Sequence, residues 1–243
     1  MTRWGEGRLE ERDGVVLYAT GSTLPMLLNG VHRLHDDVAA TDVVRRADEF
    51  FAALGRGYCV MIRDTGQDDD LQAACEAAGL VAFGDPGPQM VCRSRLEDRP
   101  PDEGVEVRVV TTPEDVADFG AVNAQAYATY GMPADVVPAL ISRPDRFLAT
   151  PSLISVVGYS GGEPVAAAQT LLSHGIAGVY FVGTIEAARG RGLGEAVTRA
   201  VTNAAFDAGA TANSLQASVM GEPIYRRMGY EEIYRYSTLV RFS

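Results

Sequence analysis

The sequence predicts an α/β fold (α+β in kind), with a mixed, mostly antiparallel central sheet flanked by helices. Runs of β-branched and aromatic residues alternate with apolar residues at helical spacing. Two strand-like runs, residues 153–159 and 165–172, flank a glycine turn as in a hairpin. A glycine-rich loop, residues 189–194, lies between a strand and a helix. The 243 residues, 47% of them hydrophobic, suffice for one large or two small domains.

The first half of the chain is expected to contain two amphipathic helices. An apolar stripe that begins at Val43 and ends at Leu54 predicts the first helix, with Thr41 or Asp42 as its cap and Gly55 after it. Residues 1–12 are polar and expected to fray, and residues 20–42 are expected to be loop with one short helix. The other predicted elements are strands at 15–19, 58–62 and 89–93, an acidic turn at 66–70 and a helix at 71–78.

The second half is expected to begin after a charged linker, residues 95–104, which contains Pro100 and Pro101. Thr112 as cap and Pro113 at the first helical position mark a helix start. The predicted elements are a strand at 105–110, helices from 112 towards 130 and at 134–142, the hairpin, a strand at 179–184, a helix at 195–208, a strand at 214–218, a short helix at 222–228 and one or more strands within 233–242.

The loop at residues 189–194 is suited to binding an anion. Gly190, Gly192 and Gly194 let the backbone approach a ligand, and the loop leads into a helix N-terminus, where unpaired N–H groups and the macrodipole favour phosphate. Two arginines lie beside the glycines. The loop is not a dinucleotide fingerprint, because Glu195 stands where the last glycine is needed. It is not a P-loop either, because all 21 basic residues of the chain are arginine and the P-loop requires lysine.

The pattern Arg189-x-x-Gly192-x-Gly194, after a strand and before a helix, resembles the coenzyme A signature of the GCN5-related N-acetyltransferases (GNAT). The order of elements from residue 105 to 243 is similar to that family as well. The resemblance implies acetyl-CoA as cofactor and transfer of its acetyl group to an amine. It also implies that backbone N–H groups of the preceding strand hold the acyl carbonyl and the pantetheine arm. The implied coenzyme-binding residues are Val182, Gly183, Thr184, Arg189, Gly190, Arg191, Gly192, Leu193, Gly194 and Ser218.

Tyr225 is the catalytic residue that the resemblance implies. It lies four residues before Gly229, as in the closing motif of the family, where a helix tyrosine donates a proton to the departing thiolate. Ser218 stands where many relatives carry asparagine, which puts that coenzyme contact in question. The first two helices of this half are expected to line the acceptor side, with Asn123, Tyr127 and Tyr130 as contacts, although helix core explains these three residues equally well.

No general base can be named, because the strand at 179–184 holds no carboxylate or histidine. Two functions therefore remain open. The first is an N-acetyltransferase that acts by direct transfer on a small-molecule or peptide amine. The alternative is an acyl-CoA-binding regulatory or sensor module without turnover.

The first half has the features of a degenerate repeat of the second. Residues 43–93 and residues 195–240 both run helix, strand, helix, glycine, strand. The loop at 24–42 has no Arg-x-x-Gly-x-Gly pattern. The prediction is a degenerate GNAT-like domain without a cofactor site at residues 1–100, and a catalytic domain at residues 105–243.

Composition narrows the possible partners. A net charge of −11 argues against a general nucleic-acid binder, and no apolar run approaches the length of a membrane span. A polar N-terminus and three cysteines without metal-type spacing indicate a cytoplasmic protein with incidental thiols. His32 and His35, which could share a helix face, lack a third ligand, so no metal is predicted. The expected partner is a small-molecule amine, bound by a monomer or a homodimer.

Overall fold

The computed structural model describes residues 4–26 and 28–243, which divide into two compact units. Unit 1 comprises Met1–Pro88 and Tyr234–Ser243, and unit 2 comprises Gln89–Ile233. This division differs from the linear boundary expected at residues 100–105. The expected linker lies inside unit 2, and the C-terminal residues belong to unit 1. In the described part of the chain, no helix is long and apolar enough to cross a membrane.

Unit 1 has a sheet with helices packed on its apolar residues. Its elements are β1 (Arg8–Arg12), β2 (Val15–Ala19), β3 (Asn29–Arg33), α1 (Ala40–Ala52), β4 (Tyr58–Arg63), α2 (Asp69–Ala77) and β5 (Val81–Ala82). The strands β1, β2 and β3 pair antiparallel in sequence order, and β3 pairs with β4 in parallel. The core includes Val43, Phe51 and Leu71 from the helices and Val15 and Val60 from the strands.

Most elements predicted in this half are confirmed, and three predictions are wrong. α1 begins at Ala40 with Ala39 as its N-cap, so neither Thr41 nor Asp42 caps it. Residues 8–12 form β1 rather than a frayed end, and residues 29–33 form β3 rather than loop. Neither segment shows the apolar alternation of a half-buried strand: Leu9 is the one apolar residue of β1, and β3 contains Asn29 and Gly30. His32 lies on β3 and is not on a helix face with His35.

The acidic turn before α2 is explained by arginines. Asp68 Oδ2 lies 2.7 Å from Nε of Arg63, and Asp68 Oδ1 lies 3.0 Å from Nη2 of Arg33. The side chains of Arg33 and Asp68 are 1% and 3% exposed. Burial alone would raise the pKa of Asp68, but hydrogen bonds from Arg63 and Arg33 outweigh burial and lower it to about 2. The carboxylate is therefore a structural charge at neutral pH.

Unit 2 has a sheet between two helical layers. Its elements are β6 (Gly87–Cys92), β7 (Val105–Val109), α3 (Pro113–Ala128), α4 (Val136–Leu140), α5 (Pro144–Leu148), β8 (Leu153–Ser160), β9 (Glu163–Ser173), β10 (Ile176–Thr184), α6 (Leu193–Asp207), β11 (Ala212–Gln216) and α7 (Glu222–Met228), and the chain ends with β12 (Glu231–Arg241). Within the unit the strand order is β6-β11-β10-β9-β8-β7, and only β10 and β11 pair in parallel. The mixed, mostly antiparallel sheet predicted from the sequence is confirmed.

Neighbouring residues of β10 show on which faces of the sheet the helices lie. A Cβ on Gly183 would lie 2.8 Å from Cβ of Ala126 on α3, whereas Oγ1 of the next residue, Thr184, lies 3.4 Å from where a Cβ on Gly194 of α6 would be. Because successive strand residues point to opposite faces, α3 and α6 cover opposite faces of the sheet. The predicted cap of α3, Thr112, is confirmed, and it forms a capping box with Asp115.

Several boundaries in unit 2 differ from the predictions, among them the start of α6, which is Leu193 rather than residue 195. The strand expected at 179–184 begins earlier, at Ile176, and the strand expected at 214–218 is Ala212–Gln216. The helix expected at 134–142 is shorter, as α4, and α5 follows it unpredicted. Five-residue helices carry too few turns for periodicity to identify them.

The two units share an order of elements and pairings. In unit 1, β2 pairs antiparallel with β3, which crosses over through α1 to pair in parallel with β4. In unit 2, β9, β10, α6 and β11 repeat this arrangement. The strand that pairs next in each sheet does not follow this shared order. Residues of β6 pair with β11 in unit 2, and residues of β12 pair with β4 in unit 1. Each unit therefore takes its closing strand from the far half of the sequence.

Candidate active site

The parallel strands β10 and β11 separate part of the way along their length. Their pairing covers only Ile176 to Gly178 on β10, opposite Ala212 to Ser214 on β11. Beyond Gly178, β10 continues to Thr184 beside β9 alone. Backbone N–H groups on the β11 side of β10 are thus released from strand pairing where the predicted Val182, Gly183 and Thr184 lie.

A bulge marks the middle of β10. The register with β9 shifts between Tyr180 and Gly183. Phe181, which lies between them, has a backbone φ of +50°, a value that residues other than glycine rarely adopt. A Cβ on Gly183 would lie 2.8 Å from Cβ of Ala126 and 3.2 Å from Oδ1 of Asn123, both on α3. Glycine at 183 therefore allows α3 to approach the bulge closely.

The glycine loop forms a cradle at the N-terminus of α6. Gly190 and Gly192 have φ values of +76° and +71°, so that glycine is the favoured residue at both positions. Leu193 is 2% exposed and anchors the first helical residue in the core. The first helical hydrogen bond is donated by Ala196 to the carbonyl of Gly192 at 3.0 Å. The N–H groups of residues 193–195 precede that bond and are the donors that an anion at this end would meet.

The two arginines of the motif are bonded to protein groups. Arg189 Nε donates to the carbonyl of Thr184 at 3.3 Å, and its Nη2 donates to Oγ1 of Thr129 at 3.0 Å. Arg191 Nη2 donates to Oγ of Ser160 at 2.8 Å. Both guanidinium groups therefore tie the loop to its surroundings, and the backbone N–H groups at the start of α6 are further donors at this end.

Tyr225 lies on α7, near the first turns of α6. Its side chain is 8% exposed, and its ring centroid is 5.8 Å from that of Tyr230. Burial, helped by the nearby Tyr130 and opposed by a hydrogen bond with Thr198, raises the pKa of Tyr225 to about 12. Thr198 in turn donates to the carbonyl of Gly194 at 2.7 Å, which links the tyrosine to the cradle. Tyr225 is protonated at neutral pH and can donate its proton.

Ser218 and Tyr130 meet at the open end of the strand gap. Their hydroxyl oxygens are 3.4 Å apart, and Tyr130 is 54% exposed. Ser218 Oγ also accepts a hydrogen bond from the N–H of Gly221, just before α7. Ser218 thus has a structural role as well as its place in the predicted coenzyme site.

The other two predicted acceptor residues differ in exposure. Asn123 is 0% exposed, and its Nδ2 donates to the carbonyl of Phe119 at 2.9 Å. Tyr127 is half-buried, with ring centroids 6.1 Å from both Tyr130 and Phe181, and burial raises its pKa. Of the three, Tyr130 is the one that a solute reaches directly.

Sequence reasoning did not identify several residues of this region as part of the site. They are Thr129 and Ser160, which bind the motif arginines, Thr198, which bonds Tyr225, and Phe181 at the bulge. Hydroxyl residues at helix and strand ends carry no distinctive spacing. The weak signal for the bulge was Gly183 itself, a glycine inside a strand.

Comparison with known proteins identifies the family. The family model described as "Acetyltransferase (GNAT) domain" matches residues 92–220, just over half of the chain. No curated protein sequence matches the chain. Among solved structures, a GCN5-related N-acetyltransferase from Kribbella flavida is similar over 96% of this chain and 88% of its own, with 21% identity and a TM-score of 0.71.

Two further structures share the fold along most of the chain. A conserved protein of unknown function from Staphylococcus epidermidis has 14% identity and a TM-score of 0.66, with 98% of this chain and 95% of that chain covered. A tandem GNAT protein from the clavulanic acid biosynthesis pathway has 12% identity and a TM-score of 0.63, with 94% and 78% covered. The family-model match and the fold together show that this chain belongs to the GNAT acetyltransferase family and is an acyltransferase.

Proposed function

We propose that unit 2 is an N-acetyltransferase that transfers an acetyl group from acetyl-CoA directly to the amine of a small-molecule or peptide acceptor. The observation that carries this proposal is the separation of β10 from β11 beside the glycine cradle of α6. Together they offer a row of backbone donors next to an anion-binding helix end. This is the environment that a long, phosphate-bearing thioester requires.

The residues fit the coenzyme by shape as well as by charge. A Cβ on Gly194 would lie 3.4 Å from Oγ1 of Thr184, so that glycine keeps the start of α6 close to the end of β10. The pyrophosphate is assigned to the N–H groups of the loop, Arg189 to Gly194, and the acyl carbonyl to those of Val182, Gly183 and Thr184. Ser218 is assigned to the pantetheine end of the same gap.

Acetyl-CoA supplies a thioester carbonyl, and the chain supplies the groups around it. The amine nitrogen forms a bond to the carbonyl carbon, the carbon–sulfur bond breaks, the amine loses a proton and the thiolate gains one. Backbone N–H groups of β10 stabilise the negative charge on the carbonyl oxygen. Tyr225 acts as the general acid for the sulfur, because its raised pKa keeps it protonated.

The acceptor is assigned to the α3 side of the gap. Tyr127 and Tyr130 line it, and Asn123 forms the wall behind them. No carboxylate or histidine lies within β10, so the amine is expected to bind in its neutral form or to lose its proton to water. This lack of a base on β10 favours one alternative, an acyl-CoA-binding regulatory or sensor module without turnover.

Unit 1 is proposed to be a degenerate copy that holds no coenzyme. Its pairing pattern repeats that of unit 2, but the loop from β3 to α1, residues 34–39, contains no glycine. The site of action is proposed to be the cytoplasm, where acetyl-CoA is available.

Calorimetry with coenzyme A and a thiol-release assay with acetyl-CoA over a panel of amines test the proposal together. We expect binding, and turnover with at least one amine. Binding without turnover on any amine would support the sensor alternative, and no binding would contradict both.

A matched pair of glycine variants locates the binding. Gly192→Ala places a side chain at a φ of +71° in the cradle, and Gly161→Ala does the same at a φ of +61° in the β8–β9 turn. Both changes cost about 1 kcal/mol of stability. Only Gly192→Ala is expected to weaken coenzyme A binding, by tenfold or more. Equal weakening by both variants would remove the cradle from the proposal.

A further inference from the structure

The polar face of α6 is covered by a segment that we call the strap, residues 95–102. At the C-terminal end of the helix, Arg95 Nε donates to Oδ1 of Asp207 at 3.1 Å. One turn earlier, Oδ1 of Asn203 accepts from the N–H of Leu96 at 2.9 Å, and Nδ2 of Asn203 donates to the carbonyl of Leu96 at 3.1 Å. Asn203 therefore clamps the backbone of the strap from both sides.

The strap continues along the same stripe of the helix. Arg199 Nη1 donates to the carbonyl of Glu97 at 2.8 Å, and Arg99 Nη1 lies 3.3 Å from Oε1 of Glu195. The helix positions used are 207, 203, 199 and 195, each one turn apart, so they form a single stripe. The strap thus runs antiparallel to α6 from its last residue to its first turn.

The strap ends at the cradle. A Cβ on Gly192 would lie 3.9 Å from Oδ2 of Asp102, which places this carboxylate against the N-cap residue of α6. The carbonyl of Asp102 accepts a hydrogen bond from the N–H of Val105 at 3.0 Å, which fixes the end of the strap at the start of β7. A carboxylate is favourable at a helix N-terminus, but it repels a second anion there.

We propose that the strap holds Asp102 at the edge of the cradle, where its charge lowers the affinity of the site for coenzyme A. The coenzyme pyrophosphate and the Asp102 carboxylate compete for the same positive helix end. Asn203 is the positioning residue, because it fixes the path of the strap along α6. This inference rests on the proposed coenzyme site and deepens it, by giving a residue outside the glycine motif control over that site.

The first experiment is calorimetric titration of coenzyme A into the wild-type protein, Asp102→Asn and Glu103→Gln. The two variants remove one charge each, at neighbouring positions. We expect Asp102→Asn to lower the Kd by about three- to tenfold at low salt, and Glu103→Gln to leave it near the wild-type value. The difference is expected to shrink at about 0.5 M salt, because the screening length falls to a few ångströms.

The second experiment tests whether Asn203 acts through Asp102. Asn203→Ala releases the clamp and is expected to lower the Kd in the wild-type background, but to change nothing in the Asp102→Asn background. If Asn203→Ala lowers the Kd for coenzyme A by the same factor in both backgrounds, the strap does not act through the Asp102 carboxylate. That result would overturn the proposed role of Asn203.

The outcomes separate this inference from the proposed function. If the wild-type protein and Asp102→Asn bind coenzyme A with equal Kd, or if Glu103→Gln binds as tightly as Asp102→Asn, the inference is wrong and the coenzyme site stands. If the wild-type protein does not bind coenzyme A at all, the proposed function is wrong and the inference falls with it.

Discussion

Gly183 on β10 lies so close to Ala126 on α3 that a Cβ on the glycine would be 2.8 Å from the alanine Cβ. Neither group is a flexible side-chain end, so one element must move if a methyl group is added. This contact places α3, with Tyr127 and Tyr130, directly against the bulge that carries the proposed acyl site.

We expect Gly183→Ala to destabilise the protein by about 1–3 kcal/mol through overpacking, and to reduce turnover because α3 is displaced. The measurement is chemical unfolding together with the acetyl-CoA assay. Ala126→Gly removes the opposing methyl group, so the double variant should recover part of the lost stability. Strict additivity of the two changes would contradict the proposed contact.

Tyr225→Phe is expected to lower turnover by about 10² while the Kd for coenzyme A stays near the wild-type value. Tyr230→Phe is the matched control, because Tyr230 is also buried and its hydroxyl lies 2.7 Å from that of Thr202 rather than at the cradle. The control should lose about 1 kcal/mol of stability and keep its turnover. A Tyr225→Phe enzyme of full activity would remove Tyr225 from the mechanism.

The pKa of Tyr225, raised to about 12 by burial, also predicts a pH profile. Tyr225 stays protonated up to about pH 11, so its deprotonation should cause no loss of rate between pH 7 and 10. An alkaline limb in that range that disappears in Tyr225→Phe would contradict the raised pKa.

Asp68 is expected to make unit 1 sensitive to acid. Its folded-state pKa of about 2 lies below the usual value of about 3.9, so the carboxylate stabilises the folded state above pH 4. That contribution is lost as the pH falls from about 4 towards 2. Asp68→Asn should cost about 3 kcal/mol at pH 7, because it leaves Arg33 buried without this partner. The cost should shrink at pH 2, and a cost that is independent of pH would contradict this account.

Removal of Tyr234–Ser243 is expected to unfold unit 1, although that unit is formed mostly by the start of the chain. The deletion removes the partner of β4 and β5 and takes Leu239 and Val240 out of the interior. A fragment of residues 105–243 lacks the β6 strand that pairs with β11. Circular dichroism melts of both truncated proteins should show no cooperative transition for the affected unit. Two independently folded halves, cut at residues 100–105, would contradict the exchange of closing strands.

The sequence predicted those parts of the fold that depend on local pattern. The helices α1, α3 and α6 have long apolar stripes with caps or glycine stops, and the glycine loop followed a β-branched run. The missed β1 and β3 have little apolar alternation; β1 pairs with β2, and β3 lies between β2 and β4. The pairing of β6 with β11 and of β12 with β4 joins residues that are far apart in the sequence. The residues of neither strand indicate which partner the strand takes.

The sequence predicts the backbone conformation of the candidate site better than it predicts the hydrogen-bond partners of the side chains there. Glycines at 190, 192 and 194 report directly on conformation, and two of them have positive φ. The sequence shows Arg189 and Arg191 beside the glycines but not the hydroxyl groups of Thr129 and Ser160 that they bond. The strap covers the polar stripe of α6 through bonds of Asn203 and Arg199 to residues about a hundred positions away. Spacing alone does not reveal partners that are far apart in the sequence.

The central claim is that coenzyme A binds between β10 and the N-terminus of α6. The most direct measurement is a titration with coenzyme A that follows the backbone amide resonances of the protein by NMR. We expect the largest saturable shifts at residues 182–184 and at Gly192, Leu193 and Gly194, with no saturable shifts along α1 of unit 1. Shifts centred on unit 1, or none at the glycine loop at saturating coenzyme, would contradict the claim.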